Sequence, residues 1–160
     1  MPDDNGSLPY RTLLRREESY AIHALIYAAE NPGAPTAKMA ADLKFPPAFL
    51  AKVLRRLSEA GFLDNKTGRK GGITLKADPT SITLLDVIET VSGPMVLDTC
   101  QTKLRCATTE RKGFCRLNVA WINASIGLRE VFGGVKLAAL IDPPRSGRAV
   151  RARPARQADA

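Results

Sequence analysis

Two predicted helices joined by a very short connection constrain the fold of this sequence most strongly. Thr36 is placed to cap a short helix over residues 37–43, and Pro46-Pro47 suit the first turn of the next helix, which extends to about Ala60. Apolar residues recur along this second helix at spacings of one, three and four: Phe49, Leu50, Val53, Leu54 and Leu57. The pattern predicts a helix-turn-helix pair whose second helix buries one face and exposes the other.

A basic hairpin is predicted directly after this helix pair. Residues 62–66 and 73–76 have the composition of short strands, and a glycine-rich turn containing Arg69 and Lys70 lies between them. Helix, turn, helix and hairpin in this order predict a winged helix-turn-helix, whose second helix enters the major groove of double-stranded DNA. The residues predicted to contact DNA are Thr36, Lys38, Pro47, Ala48, Lys52, Arg55, Arg56, Arg69 and Lys70. A solvated basic face is the alternative explanation of these charges.

The other predicted elements extend this domain on both sides, and the fold class is mainly α, of the α+β type. A buried helix is predicted over residues 12–30, and a helix ending near Val91 starts at a capping box made by Thr83 and Asp86. The predicted organisation is a disordered N-terminus (1–9), a winged helix-turn-helix domain (10–91), a cysteine-bearing sensor loop (92–116), a dimerisation helix with a short terminal helix (117–142) and a disordered Arg-rich tail (143–160).

The long helix near the C-terminus carries an apolar seam at alternating spacings of four and three: Leu117, Trp121, Ala124, Leu128 and Val131. A seam of this kind predicts a partner helix. If the long helices of two chains pair, they bring together two basic DNA-binding domains. This arrangement predicts a two-fold homodimer on a palindromic DNA site. Packing of the helix on its own domain is the alternative.

Three cysteines, Cys100, Cys106 and Cys115, lie in and beside a stretch without clear periodicity. Basic residues surround them, so we expect lowered thiol pKa values and the thiolate form that binds metal. Gaps of five and eight residues suit an iron–sulfur cluster better than zinc, which favours shorter gaps. Three unconnected thiols, or a thiol–disulfide switch between two of them, are the alternatives. The sole histidine, His23, and the carboxylates just before it are equally reachable candidates for a fourth ligand.

Composition narrows the classes of protein further. The 160 residues are 44% hydrophobic, which excludes a wholly disordered chain, and the net charge of +8 favours a polyanionic partner. No apolar run is long enough to span a membrane, and the acidic N-terminal residues do not form a signal peptide. Three cysteines do not make a secreted disulfide framework, so a cytoplasmic location is expected. No phosphate-binding or dinucleotide motif is present, and we expect no enzymatic activity.

From about Leu13 to Ile141 the sequence resembles the IscR/NsrR family of bacterial winged-helix regulators. The resemblance is carried by Y-A-I-H-A-L from Tyr20, F-L-A-K-V-L-R-R-L from Phe49, G-R-K-G-G from Gly68, and the three cysteines ahead of the long helix. It implies a homodimeric transcriptional regulator, typically a repressor. Its DNA binding would be controlled by a 2Fe–2S or 4Fe–4S cluster that senses redox, iron or nitric oxide status. The resemblance assigns Cys100, Cys106 and Cys115 as ligands; a cluster-free regulator switched by thiol oxidation is the alternative.

The resemblance also has departures that concern the fourth ligand. Asn118 stands where one family pattern has a histidine ligand. Other members take an acidic residue from the first helix, at the position of Ser19, with Glu18 beside it in this sequence. A further member uses a histidine one turn later, at the position of His23. The candidates implied by the resemblance are therefore His23, Glu18 and Ser19.

Overall fold

The computed structural model describes residues 12–65, 72–103 and 105–142. Its elements are α1 (Arg16–Glu30), α2 (Thr36–Leu43), α3 (Pro47–Glu59), β1 (Leu63–Asn65), β2 (Ile73–Leu75), α4 (Leu84–Ser92), α5 (Ala107–Lys112) and α6 (Arg116–Gly134). Short 3₁₀ helices cover Thr99–Gln101 and Leu137–Leu140. The fold is mainly helical with one small sheet, as predicted. The predicted disordered segments, 1–9 and 143–160, lie outside the described residues.

The helix α1 is the centre of the hydrophobic core. Ala21, Ala24 and Ala28 are fully buried on it, and their small side chains let α2, α3 and α4 pack closely around it. The helix begins at Arg16 rather than at residue 12. The Glu18 carboxylate accepts a hydrogen bond of 2.7 Å from the backbone N–H of Arg15, which supports the helix start as the acidic half of a capping box does.

Two further helix starts test the predicted caps. Thr83 forms the expected capping box: its hydroxyl accepts the Asp86 N–H at 3.1 Å, and the Asp86 carboxylate accepts the Thr83 N–H at 2.8 Å. The predicted cap at Thr36 is wrong, because Pro35 occupies the N-cap position and Thr36 is the first helical residue, without a side-chain capping bond. The predicted end of the long helix at Gly133-Gly134 is confirmed.

An aromatic cluster holds the helix-turn-helix against α1. The turn between α2 and α3 contains Lys44, which adopts a left-handed conformation (φ 55°), and Phe45, whose N–H donates to the Ala40 carbonyl at 2.9 Å. The Phe45 ring stacks on Tyr20 with centroids 3.6 Å apart, and Phe49 meets the same tyrosine edge-on at 5.3 Å. These contacts fix the direction of α3, because both ends of the turn pack on the same α1 side chain.

The wing is an antiparallel pair with Leu63 opposite Leu75 and Asn65 opposite Ile73. The second strand also pairs with the segment before α2: the Gly33 N–H donates to the Ile73 carbonyl at 2.9 Å, and the Ile73 N–H donates to the Ala34 carbonyl at 3.0 Å. The base of the wing is therefore fastened to the helix-turn-helix. Its predicted tip, with Arg69 and Lys70, lies outside the described residues.

The C-terminal part returns to the domain after α6. The Leu137 N–H donates to the Ile82 carbonyl at 2.9 Å, and the Leu137 side chain is fully buried. The helix α6 itself packs on α4 and on the 3₁₀ helix Thr99–Gln101. Residues 92–116 hold this 3₁₀ helix and α5, two short elements for which the sequence showed no periodicity. Among the described residues no helix is long and apolar enough to cross a membrane.

Candidate DNA interface and cysteine site

The outer face of α3 presents most of the predicted DNA-contacting residues. Pro47, Ala48, Lys52 and Arg55 are exposed along one side, opposite the fully buried Leu50 and its apolar neighbours. The exposed Arg55 forms an ion pair of 2.8 Å with Glu59, one turn later. An exposed pair of this kind contributes little stability, so a DNA phosphate can compete for the arginine. Lys52 has no ion pair with any described residue.

Arg56 is placed differently from the rest of the predicted set. Its guanidinium is half-buried, lies 3.2 Å from the Glu17 carboxylate of α1 and donates to the Val91 carbonyl near the end of α4. The side chain therefore ties three helices together. Both contacts are made by Nη1, so Arg56 connects the helices, and its predicted contact with DNA stays a prediction.

The two predicted contacts on α2 lie at its start. Thr36 is half-buried, whereas Lys38 is exposed and forms an ion pair of 2.6 Å with Asp42. The same carboxylate oxygen accepts a hydrogen bond of 2.5 Å from the buried Tyr27 hydroxyl of α1. These hydrogen bonds hold the pKa of Asp42 below its usual range, the bond from Lys38 having the largest effect. The charge of Lys38 is thus partly neutralised within the protein.

Each of the three cysteines lies in or directly before a helical element. Cys100 lies in the 3₁₀ helix, Cys106 is the residue before α5 and Cys115 is the residue before α6. All three are half-buried, free thiols. Such positions place sulfur atoms beside backbone N–H groups, which stabilise a thiolate.

The surroundings of Cys100 and Cys106 shift the pKa values of these two thiols in opposite directions. The Asp98 carboxylate accepts a hydrogen bond from the Cys100 thiol, and this contact with burial raises the pKa of Cys100. The backbone N–H groups of Thr109 and Thr108 lower the pKa of Cys106. The expectation that neighbouring basic residues lower the thiol pKa values is therefore wrong for Cys100. For Cys106 the direction holds, but the cause is the backbone at the start of α5.

The cysteines do not converge on a single ion in one chain. Within the described part of the chain, no three His, Cys, Asp or Glu side chains are grouped closely enough to hold a metal ion. Cys100 and Cys115 are near enough for a charge on one to raise the pKa of the other. Asn118, at the position of a histidine ligand in one family pattern, donates its amide N–H to the Cys100 carbonyl at 3.0 Å and lies 3.9 Å from the Cys100 sulfur.

The three candidates for a fourth ligand differ in burial and in their hydrogen-bond partners. Glu18 is buried at 6% exposure and bonded to the Arg15 N–H, and Ser19 is half-buried. His23 is exposed, and its Nδ1 lies 2.8 Å from the Ser19 carbonyl, which can only accept. Nδ1 must then carry the proton, so the neutral ring presents the lone pair of Nε2 to solvent. Of the three side chains, only that of His23 is exposed with a free nitrogen lone pair, so it is the one that could coordinate a metal ion held by another chain.

The predicted seam on α6 is divided between two surfaces. Trp121 and Leu128 are half-buried on the inner face, around Ser125, which is the buried residue of this helix. The outer apolar set of α6 consists of Leu117, Val119, Ile122, Ile126 and Val131, whose exposed fractions range from 40% to 61%. Ala124 is also exposed, beside Leu117 and Val131 at seven-residue intervals. One chain thus leaves much of the apolar surface of α6 uncovered.

Polar contacts that the sequence analysis missed join the sensor segment to α4 and α6. The Glu89 carboxylate of α4 accepts the Met95 N–H at 2.9 Å and pairs with Arg129 of α6. The Ser125 hydroxyl bonds to the Gln101 side chain at 3.1 Å and accepts the Leu97 N–H at 3.2 Å. No local pattern marks these residues, because the partners across α6 lie 24 to 40 positions away along the chain, and Met95 is six positions from Glu89.

Comparisons with known proteins agree with this arrangement. The Rrf2 family, described as iron-dependent transcriptional regulators, matches residues 14–143. A protein of Aquifex aeolicus with the name of an HTH-type transcriptional regulator is 28% identical over 125 residues, which cover 77% of this chain and 87% of that protein. Protein aau3 of Rhizobium meliloti is 27% identical over 132 residues, covering 80% and 84% of the two chains.

Solved structures share the fold. CymR, the global cysteine regulator of B. subtilis, superposes with a TM-score of 0.63 at 20% identity and covers 81% of this chain and 96% of its own. T. potens IscR gives a TM-score of 0.62 at 17% identity, with 88% and 94% covered. The resemblance read from the sequence is confirmed, and the relatives are regulators rather than enzymes. From its first helix to the end of its final 3₁₀ helix, this chain belongs to the Rrf2 family of DNA-binding transcriptional regulators.

Proposed function

We propose that this protein is a homodimeric regulator in which an iron–sulfur cluster bound in residues 92–116 controls sequence-specific DNA binding by residues 10–91. The observation that carries the proposal is the placement of all three cysteines in the one segment that joins α4 to α6. A change in that segment acts directly on the helix that positions the reading domain. The signal would be redox, iron or nitric oxide status.

The outer face of α3 is the proposed reader of DNA. Lys52 lies on the side opposite the core and has no partner among the described residues, so it is the side chain we assign to a base edge. Arg55 meets phosphates, and Arg69 and Lys70 are proposed to contact the backbone from the wing. The arrangement predicts two copies of this face on a palindromic operator.

A substitution at Lys52 tests this assignment. On a duplex selected from a random-sequence library, Lys52→Gln is expected to weaken binding about tenfold, since one base contact contributes about 1–3 kcal/mol. The equally exposed Lys112 of α5 provides the control, and Lys112→Gln is expected to bind like the parent. Binding is measured by fluorescence anisotropy at fixed salt. Equal affinities of parent and Lys52→Gln would remove α3 from the recognition surface.

The three cysteines are ligands of the chemical type that iron–sulfur clusters use. Cys100, Cys106 and Cys115 would supply three thiolates, and backbone N–H groups at the start of α5 favour the charged form of Cys106. When bound, the cluster would supply a charge and redox state that respond to oxidants, iron supply or nitric oxide. Cys100 must lose its proton to Asp98 or solvent, and Asn118 then donates toward its sulfur.

The fourth ligand is proposed to be His23 of a second copy of this chain. The ring is exposed on α1, its Nδ1–H donates to the Ser19 carbonyl, and Nε2 faces outward. Glu18 is buried in its own chain, and Ser19 supplies only a weakly ligating hydroxyl. A ligand across the interface would make cluster binding depend on the dimer that the outer apolar set of α6 forms.

The control of DNA binding would run through α4. Glu89 connects α4 to α6 through Arg129, and Arg56 of α3 donates to the Val91 carbonyl at the other side of α4. A rearrangement of residues 92–116 would move α4 relative to α6. The two α3 helices would then change their separation, and a palindromic site would bind with a different affinity.

Anaerobic purification followed by visible absorption tests the cluster. We expect a coloured protein with bound iron, loss of the colour in Cys106→Ala, and an altered spectrum in His23→Ala. Glu18→Gln and Ser19→Ala serve as matched controls and are expected to retain the parent spectrum. A colourless, iron-free protein with intact thiols would contradict the cluster.

The cluster-free thiol switch is the second candidate, favoured by the lowered pKa of Cys106 and the proximity of Cys100 and Cys115. A colourless protein that loses DNA affinity with a disulfide oxidant and regains it with a dithiol would establish this candidate instead. The same measurements in Cys100→Ala and Cys115→Ala identify the pair that forms.

A further inference from the structure

A cavity of about 540 Å³ lies between the start of α1, the end of α4, residues 93–98 and Trp121 of α6. We propose that it is a binding site for a small organic cation with an apolar body, such as an aromatic or aliphatic amine. The site is separate from the outer face of α3, and it borders the cysteine segment through Asp98, which lines the cavity and accepts the Cys100 N–H at 2.7 Å. Its walls belong to α1, α4, α6 and the segment that joins α4 to α6.

A buried carboxylate defines the charge of the ligand. Glu18 is 6% exposed, lies in the cavity wall and has the Arg15 N–H as its one hydrogen-bond partner among the described residues. Within those residues no cationic side chain forms an ion pair with it. A carboxylate removed from water without a cation is costly, and a ligand ammonium group would offset that cost.

A second polar group lies in the same wall. The Ser92 hydroxyl, at the end of α4, is shielded from solvent and has no hydrogen-bond partner within the described part of the chain. Buried hydroxyl groups are normally bonded. A ligand that carries N–H groups can satisfy both Glu18 and Ser92.

Apolar and polar groups share the rest of the cavity wall, which includes the charged residues Arg15 and Asp98. Leu14, Ile88, Met95, Leu97 and Trp121 contribute to it. The volume falls in the range of sites for small organic ligands, which are lined mostly by apolar side chains with a few converging polar groups. The Trp121 ring also offers a face that attracts a cation. These features favour an amine with a ring or short chain over a bare inorganic ion.

Trp121 provides the test, because it is the only tryptophan of the chain. We would titrate the full-length protein with 2-phenylethylamine and follow Trp121 emission on excitation at wavelengths that the amine does not absorb. The expected result is a saturable change. The neutral analogue 2-phenylethanol is expected to bind at least about tenfold more weakly, since hydrogen bonds to charged groups are the stronger ones.

Glu18→Gln removes the charge and keeps an amide oxygen that can accept the Arg15 N–H, as glutamine does in a capping box. Its affinity for the amine is expected to fall about tenfold or more, to that for the alcohol. Glu130→Gln, on an exposed position of α6, removes the same charge away from the cavity and is expected to bind like the parent.

Three results would overturn the site. They are an absence of saturation with the amine, equal affinities for the amine and the alcohol in the parent protein, and an unchanged amine affinity in Glu18→Gln. The comparison of amine with alcohol needs no variant, so it remains decisive if Glu18→Gln folds poorly.

Binding of the amine to the cavity is independent of the proposed function. An effect of the amine on DNA binding rests on that function. With the operator duplex present, a saturating amine is expected to change DNA affinity, because the cavity spans α1, α4 and α6. Unchanged DNA affinity alongside saturable Trp121 emission would limit the site to ligand binding. Saturation without any DNA binding at all would instead count against the proposed function.

Discussion

At the scale of single residues, Gly72, the last glycine of the G-R-K-G-G motif, is required by close packing of the backbone. A Cβ atom at this position would lie 2.0 Å from the Gly33 carbonyl oxygen, where the second wing strand pairs with the segment before α2. We expect Gly72→Ala to lower the free energy of unfolding by about 2 kcal/mol, because the backbone must separate. Gly127→Ala is the control, since nothing lies within 4 Å of a Cβ there. Equal urea midpoints for the two variants would contradict this.

Arg55 and Arg56 are sequence neighbours with different roles. Arg56→Gln is expected to lower the free energy of unfolding by about 1–2 kcal/mol, because Glu17 and the Val91 carbonyl lose a charged partner. Arg55→Gln removes an exposed ion pair and is expected to change stability by less than about 0.5 kcal/mol. Urea unfolding monitored by circular dichroism measures both. The reverse ranking would show that Arg56 does not connect the helices in solution.

At the scale of elements, Asp42 links α2 to α1. Hydrogen bonds from Lys38 and Tyr27 hold its pKa below the usual range, so the charged carboxylate contributes stability above the unfolded-state pKa. That contribution is lost as the pH falls through the lowered folded-state pKa. Asp42→Asn is therefore expected to melt below the parent at about pH 7, with a difference that shrinks towards about pH 3.

Glu130→Gln provides the comparison for this pH series, because Glu130 is exposed on α6. Its difference from the parent is expected to stay small at every pH. A constant gap between Asp42→Asn and the parent across the series would mean that the carboxylate charge contributes nothing to the contact between α1 and α2.

At the scale of the whole molecule, the outer apolar set of α6 is the surface that we propose a second copy covers. Ile126 is 49% exposed, and Ile122 and Val119 lie on the same side one and two turns before it. Ile126→Glu is expected to convert dimer to monomer, because a carboxylate would be buried without a partner. Asn123→Glu, on an exposed polar position, is expected to remain dimeric. Light scattering after size exclusion measures the mass, and a dimeric Ile126→Glu would move the interface elsewhere.

Local sequence patterns accounted for most of the elements. The stripe on α3, the capping box at Thr83 and the closing glycines of α6 are each specified by residues within a few positions of one another, and all three agree with the structure. Two predictions were wrong because a neighbouring residue had the stronger effect. Pro35 occupies the N-cap position that Thr36 was expected to fill. Asp98 raises the pKa of Cys100, although basic residues nearby in the sequence were expected to lower it.

The sequence by itself indicated the winged helix-turn-helix and the three-cysteine segment, because both depend on periodicity or spacing along the chain, and its motifs resembled those of the family. Only the tertiary structure decided which way Arg56 points, which half of the α6 seam faces the domain, and that Glu18 is buried beside a cavity. Those outcomes depend on contacts of α3 with α1 and α4, and of α6 with α4, between residues 35 or more positions apart. Heptad spacing predicts a partner for Trp121, but only the tertiary structure shows that this side chain lines a cavity shared with α4 and residues 93–98.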